Sequence, residues 1–212
     1  MRKQIPDTPK PAPAKPRRLD GHPAHEIRII GGLWKRTRIK VTDKPGLRPT
    51  PDRVRETLFN WLGQDLTGWR CLDAYAGTGA LGFEAASRGA AQVLMVEHDA
   101  TLVAQLVAIK NRLGAAAVSA LRGDGLMALK KAVPGSLDLV LLDPPFDSAV
   151  YDKAVQAAAQ ATAAGGFIYL EAPVAWTDEA LAPLGLTVHR HLKAGAVHAH
   201  LLRRSDPGTE EK

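Results

Sequence analysis

The sequence predicts an α/β fold on a doubly wound, mostly parallel sheet, and three observations carry that expectation. From Trp69 onward, short apolar runs alternate with helical patterns in a βαβα rhythm. A glycine loop, Gly77-Thr78-Gly79-Ala80-Leu81-Gly82, follows the first of these runs and opens a helix. The most apolar run, residues 137–142, ends in Asp143, as a buried central parallel strand does at its carboxyl edge.

Residues 1–25 hold six basic residues against two acidic ones, and six of the fifteen prolines precede residue 25. Almost no large apolar side chain accompanies them, so this stretch is expected to be a disordered basic tail. Residues 26–50 read as a small β extension. Ile27 and Ile29, then Ile39 and Val41, alternate with polar residues around Gly31-Gly32. Residues 51–204 form the working domain, and 205–212 a second disordered tail.

Thr50 suits a helix N-cap and Pro51 the first helical position. Val54, Leu58, Trp61 and Leu62 recur at helical spacing, which predicts an amphipathic helix over 51–62. Residues 71–75 form a strand, and the helix behind the glycine loop stops near Arg88 at Gly89. Residues 93–97 form the next strand, and 99–113 a helix ended by Gly114. A weaker strand near residue 118 leads to Gly123-Asp124-Gly125 and a short helix. Residues 149–163 are an alanine-rich helix and 167–171 a strand. Residues 187–192 and 197–203 read as a terminal antiparallel hairpin turning at Ala194-Gly195.

The formal charge is +6, concentrated in the first third of the chain, where residues 26–70 hold ten basic against five acidic residues. Residues 71–212 hold twelve against fifteen. This asymmetry suits a polyanion-binding front end on a separate domain. No apolar run reaches membrane-spanning length, the N-terminus lacks a secretory pattern, and Cys71 is the single cysteine. A cytoplasmic location without membrane attachment is expected.

The loop Gly77–Gly82 and Glu97, at the end of the second strand, fit a nucleotide-type ligand: the glycines admit close backbone approach and the acid accepts from ribose hydroxyls. Asp73 separates the options. A carboxylate there repels a pyrophosphate but suits the cationic methionine moiety of S-adenosylmethionine. Asp73, Glu97 and Asp124 make the pocket acidic, as a sulfonium donor requires; Asp124 could equally act as a helix cap. Asp143-Pro144-Pro145-Phe146 supplies the other half of the chemistry. An exocyclic base amine is a poor nucleophile because its lone pair is delocalised into the ring. Accepting one proton on Asp143 and one on the Pro144 carbonyl localises that lone pair, while the prolines hold the segment extended and Phe146 stacks on an extruded base.

Arg28–Gly32, Arg48-Pro49-Thr50 with Asp52–Leu62, Leu72-Asp73 with Ala76–Gly82, and Asp143–Phe146 together resemble the RsmD family over about residues 26–204. That resemblance implies a class I methyltransferase fold with a Rossmann-like seven-stranded sheet. It implies methylation of a guanine N2 amine in small-subunit (16S) ribosomal RNA, with S-adenosylmethionine as donor and S-adenosylhomocysteine as product. Asp73, Gly77, Gly79, Glu97 and Asp124 match cofactor-binding positions, and Asp143, Pro144, Pro145 and Phe146 the amine-binding motif. Arg48, Thr50 and Arg53 match a segment that closes over the site and touches cofactor or substrate, although Arg53 and Arg55 equally suit a solvated helix face. The partner implied is the small ribosomal subunit or an assembly intermediate; the chain itself is expected to be a monomer. Ala74-Tyr75 and Thr78 differ from residues frequent in relatives, and the proline-rich tail has no counterpart in the family core.

Arg28, Trp34, Lys35, Arg36, Arg38 and Arg48 are the candidate RNA contacts, with Trp34 stacking on a base or anchoring into the core. His189, His191, His198 and His200 share one hairpin face if the turn is Ala194-Gly195, pairing His191 with His198 and His189 with His200. We read that face as solvated and expect no metal there. Competing functions are a DNA or other RNA amino-methyltransferase acting on adenine N6 or cytosine N4, a nicotinamide-dependent oxidoreductase, and a non-catalytic ribosome-assembly RNA-binding protein.

Overall fold

The protein is described by a computed structural model covering residues 25–41, 44, 50–144 and 148–205. The expected tails over 1–25 and 205–212 lie outside these residues except for His25, which starts a strand, and Ser205; Arg48, Pro145 and Phe146 also lie outside them. Two antiparallel strands come first, β1 (His25–Arg28) and β2 (Arg38–Val41). Ile27, Ile39 and Val41 face inward, as their alternation with polar neighbours requires.

Helix α1 (Asp52–Trp61) buries Val54, Arg55, Leu58 and Phe59. It starts one residue later than expected: Pro51 is the flanking residue, and among the described residues no side chain caps the helix. Thr50 is committed elsewhere, its carbonyl to Arg55 Nε at 3.2 Å and its side chain to Glu171. Arg55 is not on a solvated face. It is buried, donating to Asp52 at 2.6 Å and Glu84 at 3.4 Å, whereas Arg53 is exposed.

Strand and helix then alternate: β3 (Arg70–Asp73), α2 (Ala80–Ser87), β4 (Gln92–Glu97), α3 (Ala100–Leu113), β5 (Val118–Arg122), α4 (Gly125–Lys131), β6 (Leu137–Leu142) and α5 (Ser148–Ala161). After β7 (Thr162–Ala172) come a short α6 (Asp178–Leu181) and a 3-10 turn that the sequence pattern does not announce, then β8 (Leu186–Ala194) and β9 (Val197–Arg204). Among the described residues seven strands form one sheet in the order β5-β4-β3-β6-β7-β9-β8, in which β9 runs antiparallel to both its neighbours, β7 and β8, and the others run parallel.

Register decides which side chains share a face. Asp73 pairs with Met95 on one side and Leu141 on the other, and Leu141 pairs with Tyr169. Alternation therefore places Asp73, Glu97, Asp143 and Glu171 on the same face at the carboxyl edge. That face packs under α1, α2, α3 and the N-terminal strands through Leu58, Phe83, Leu106 and Ile39. The opposite face, with Leu72, Val140, Leu142 and Leu170, packs on α4 and α5. Residues 139–142 of β6 are fully buried on both faces, each contributing about 1.5–3 kcal/mol by burial.

The N-terminal strands are fastened to α2 by ions. The Glu84 carboxylate is fully buried and accepts the backbone N–H groups of Ile30 and Gly31 at 2.9 and 2.8 Å. It also accepts from Arg88 at 2.9 Å, while Ser87 accepts from the Trp34 N–H and donates to the Gly31 carbonyl.

The terminal hairpin departs from the expected register. Its turn is Gly195-Ala196, Ala194 pairs with Val197, and an irregularity between Val188 and Arg190 displaces His189. His191 is thus opposite His200, with His198 diagonal to it, and His189 contacts Phe167 instead. The turn moves by one residue because Gly195, at φ 64°, takes the first of the two turn positions.

Candidate active site

The glycine loop is held from two sides. Gly79 adopts φ 80° at the start of α2, and a side chain there would strike Leu106 and Phe83. Glu97 Oε2 accepts the Gly77 N–H at 2.9 Å, and Oε1 accepts the Asp99 N–H at 2.9 Å. Glu97 therefore shapes the loop as well as lining it. Asp73 Oδ2 accepts the Gly82 N–H at 3.0 Å, an approach that a side chain at position 82 would crowd against Met95.

Asp124 lies at the start of α4, exposed, with Oδ1 accepting the Met127 N–H at 2.7 Å. Its capping role is present; a carboxylate retains lone pairs for a further donor. Asp143 follows β6 and Pro144 is buried. The Pro144 carbonyl accepts from Tyr151 Oη at 3.4 Å, so Tyr151, which sequence reasoning missed, fixes the direction of that carbonyl.

Glu171 was missed as well. It is the penultimate residue of β7, the strand next to β6, and is buried, accepting from Tyr169 Oη at 2.9 Å and from the Thr50 side chain. Tyr169 itself is fully buried. The signal was present in principle, because Glu171 closes an apolar strand as Asp143 does. The sequence does not say which strands are neighbours.

Four carboxylates on one face repel one another. Burial pushes Asp73 up to about 7, opposed by the Gly82 N–H and reinforced by Glu97. Burial, then Glu171, then Asp73 push Asp143 well above the usual carboxylate range. Glu171 is raised by burial against the hydrogen bonds from Tyr169 and Thr50. Such a cleft suits a cationic ligand, because an ammonium and a sulfonium compensate carboxylates that burial otherwise discharges. The donor set therefore fits S-adenosylmethionine and disfavours a pyrophosphate.

The candidate RNA contacts divide. Arg28 pairs with Asp52 at 3.3 Å and Arg38 with Glu26 at 3.1 Å. Trp34 is half-buried and packs against the core. Lys35 and Arg36 are exposed at a recess of about 450 Å³ that Arg28 and Arg88 also line. His191, His198 and His200 lie elsewhere, on the sheet face opposite Asp143. His191, His198 and His200 have ring nitrogens within 4.8 Å of one another. The buried His200 accepts the Trp176 N–H on Nε2 at 3.1 Å and directs Nδ1 at the Leu170 carbonyl, so both its nitrogens are engaged.

Among the described residues no helix is long and apolar enough to cross a membrane. The chain matches, over residues 27–203, the family described as conserved hypothetical protein 95. It is 36% identical to ribosomal RNA small subunit methyltransferase D of Escherichia coli over 189 residues, 88% of this chain and 94% of that one. The protein of that name from Haemophilus influenzae is 42% identical over 133 residues, covering 61% and 69%. The solved structure of Escherichia coli yhhF superposes with a TM-score of 0.75 at 33% identity, covering 85% of this chain and 99% of that one.

Proposed function

The chain belongs to the RsmD family of S-adenosylmethionine-dependent ribosomal RNA methyltransferases, and from that premise we propose that its target is the N2 amine of one guanine in small-subunit ribosomal RNA. The observation that carries the reading is the acidic carboxyl edge, where Asp73 and Glu97 stand beside Asp143 on one face. When bound, S-adenosylmethionine supplies an electrophilic methyl group and leaves as S-adenosylhomocysteine.

The chain's own residues do the rest. Asp73 and the Gly77–Gly79 loop hold the amino-acid end of the donor, Glu97 the ribose, and Asp124 the adenine edge. Thr50, against Glu171, and Arg53, exposed on the first turn of α1, flank the entrance from the N-terminal side. Asp143 accepts one proton of the amine and the Pro144 carbonyl the other, which aims the nitrogen lone pair at the methyl position. The Asp143 carboxylate then takes the proton that the methylated nitrogen gives up. Phe146 is assigned to stacking on the extruded base, with Pro145 restricting the chain before it. Positioning is the main catalytic effect.

Arg28, Lys35, Arg36, Arg38 and Arg48 contact RNA phosphates, and Trp34 braces their platform from below. The protein acts as a cytoplasmic monomer on the small subunit or an assembly intermediate. The test is nucleoside mass spectrometry of ribosomal RNA from a strain lacking this protein. One N2-methylguanosine should vanish and return when purified protein and donor are added to the small subunits. An intact N2-methylguanosine inventory would refute the reading.

A further inference from the structure

Asp143 and the Pro144 carbonyl together accept both protons of an amine, so the second carboxylate beside Asp143 calls for a separate reason. Leu142 pairs with Leu170 across β6 and β7, and the next residues along are Asp143 and Glu171, on the same face. Glu171 is 8% exposed and anchored by the Tyr169 hydroxyl at 2.9 Å and the Thr50 side chain. A neutral glutamine would serve those two hydroxyls, which both donate and accept. An anion costs more, because it is buried itself and its neighbour is another carboxylate. A carboxylate has about four lone-pair positions, and the two hydroxyls use two of them.

We propose that Glu171 reads the base, accepting the N1–H of guanine while Asp143 accepts from the N2 amine next to it. This rests on the guanine reading above and extends it to how the base is chosen. Guanine presents a ring N–H donor beside its amine. Adenine and cytosine present a bare ring-nitrogen lone pair beside theirs, which faces a carboxylate in repulsion. A pair of adjacent acceptors therefore selects guanine, as extruded bases are generally read on the Watson–Crick edge. The Tyr169 hydroxyl orients Glu171 for that contact.

2-Aminopurine isolates the contact, since it keeps the amine at C2 but has a lone pair at N1. Small subunits are reconstituted with RNA carrying guanosine or 2-aminopurine riboside at the methylated position, and kcat/KM is measured on each. Wild-type protein should prefer guanosine by about 10- to 100-fold beyond any intrinsic difference in the amines. Glu171→Gln, whose amide can donate to N1, should slow guanosine and narrow that ratio by about tenfold, with donor binding by calorimetry retained.

An unchanged ratio in Glu171→Gln, whether both substrates stay fast or slow equally, overturns the proposal and leaves Glu171 a purely structural acid. If the variant fails to bind donor, Tyr169→Phe carries the test, narrowing the ratio severalfold or overturning the proposal by leaving it unchanged. Wild-type protein that forms no N2-methylguanosine on the natural subunit would sink the guanine reading, and this inference with it.

Discussion

Asp73→Asn should make the donor-free protein more stable at pH 8 while abolishing donor binding. Asp73 is buried, and that burial pushes it from 3.8 up to about 7. The folded protein thus holds a proton on Asp73 across a pH range in which the unfolded chain has released it. The penalty is absent below about pH 4, grows between pH 4 and 7, and is constant above. A displacement from 3.8 to about 7 corresponds to roughly 4 kcal/mol at full ionisation. Asparagine keeps the shape and an acceptor for the Gly82 N–H but never ionises, and its neutrality also relieves Asp143. Allowing half of the effect for relaxation, the gain at pH 8 is about 2–4 kcal/mol, or ~5–15 °C in Tm for a domain of this size. Thermal melts from pH 4.5 to 8.5 should show the two proteins converging toward the acid end. Donor at about 100 times its Kd should add ~2.7 kcal/mol to the wild type and nothing to the variant. A variant less stable than wild type at pH 8, or a difference independent of pH, would refute the reasoning.

Asp143→Asn should lower kcat by at least ~100-fold while donor affinity stays within about threefold, checked by single-turnover methylation and calorimetry. Glu84→Ala leaves Arg55 and Arg88 with a buried charge deficit and frees two backbone N–H groups, so we expect a loss of about 3–5 kcal/mol in urea unfolding. Hydrogen exchange should localise the earliest opening to residues 25–41. Replacing Lys35 and Arg36 together with Gln should reduce the slope of log affinity against log salt by about one to two, and an unchanged slope would move the RNA surface elsewhere.

The sheet was legible because its strands announce themselves twice, by apolar runs and by the acid or glycine loop at their carboxyl ends. Residues 137–142 were placed to the residue, and Asp99 and Gly114 bracket α3 as the Asp N-cap and left-handed glycine that their types suggest. The mutual placement of Asp73, Gly77, Gly79 and Glu97 was legible for a similar reason: they lie within one βαβ unit, so local spacing determines their geometry. The hidden part depends on contacts distant in sequence. Thr50 looks like a cap until its partner Glu171, far along the chain, is known. Arg55 looks solvated until Glu84 is placed against it. The histidine pairing turned on one residue of turn position, which alternation along β8 and β9 does not specify.

Helix α2 is shared property. Its first turn continues the loop of Gly77–Gly79, and its last turn, through Glu84, Ser87 and Arg88, receives the backbone of residues 30–34. The strands that present Lys35 and Arg36 are therefore not a detachable module. A chimera that borrows residues 25–41 from a relative must import the matching residues at 55, 84, 87 and 88 too. Otherwise the graft arrives without its socket, and its misfolding would be mistaken for a failure of the borrowed surface.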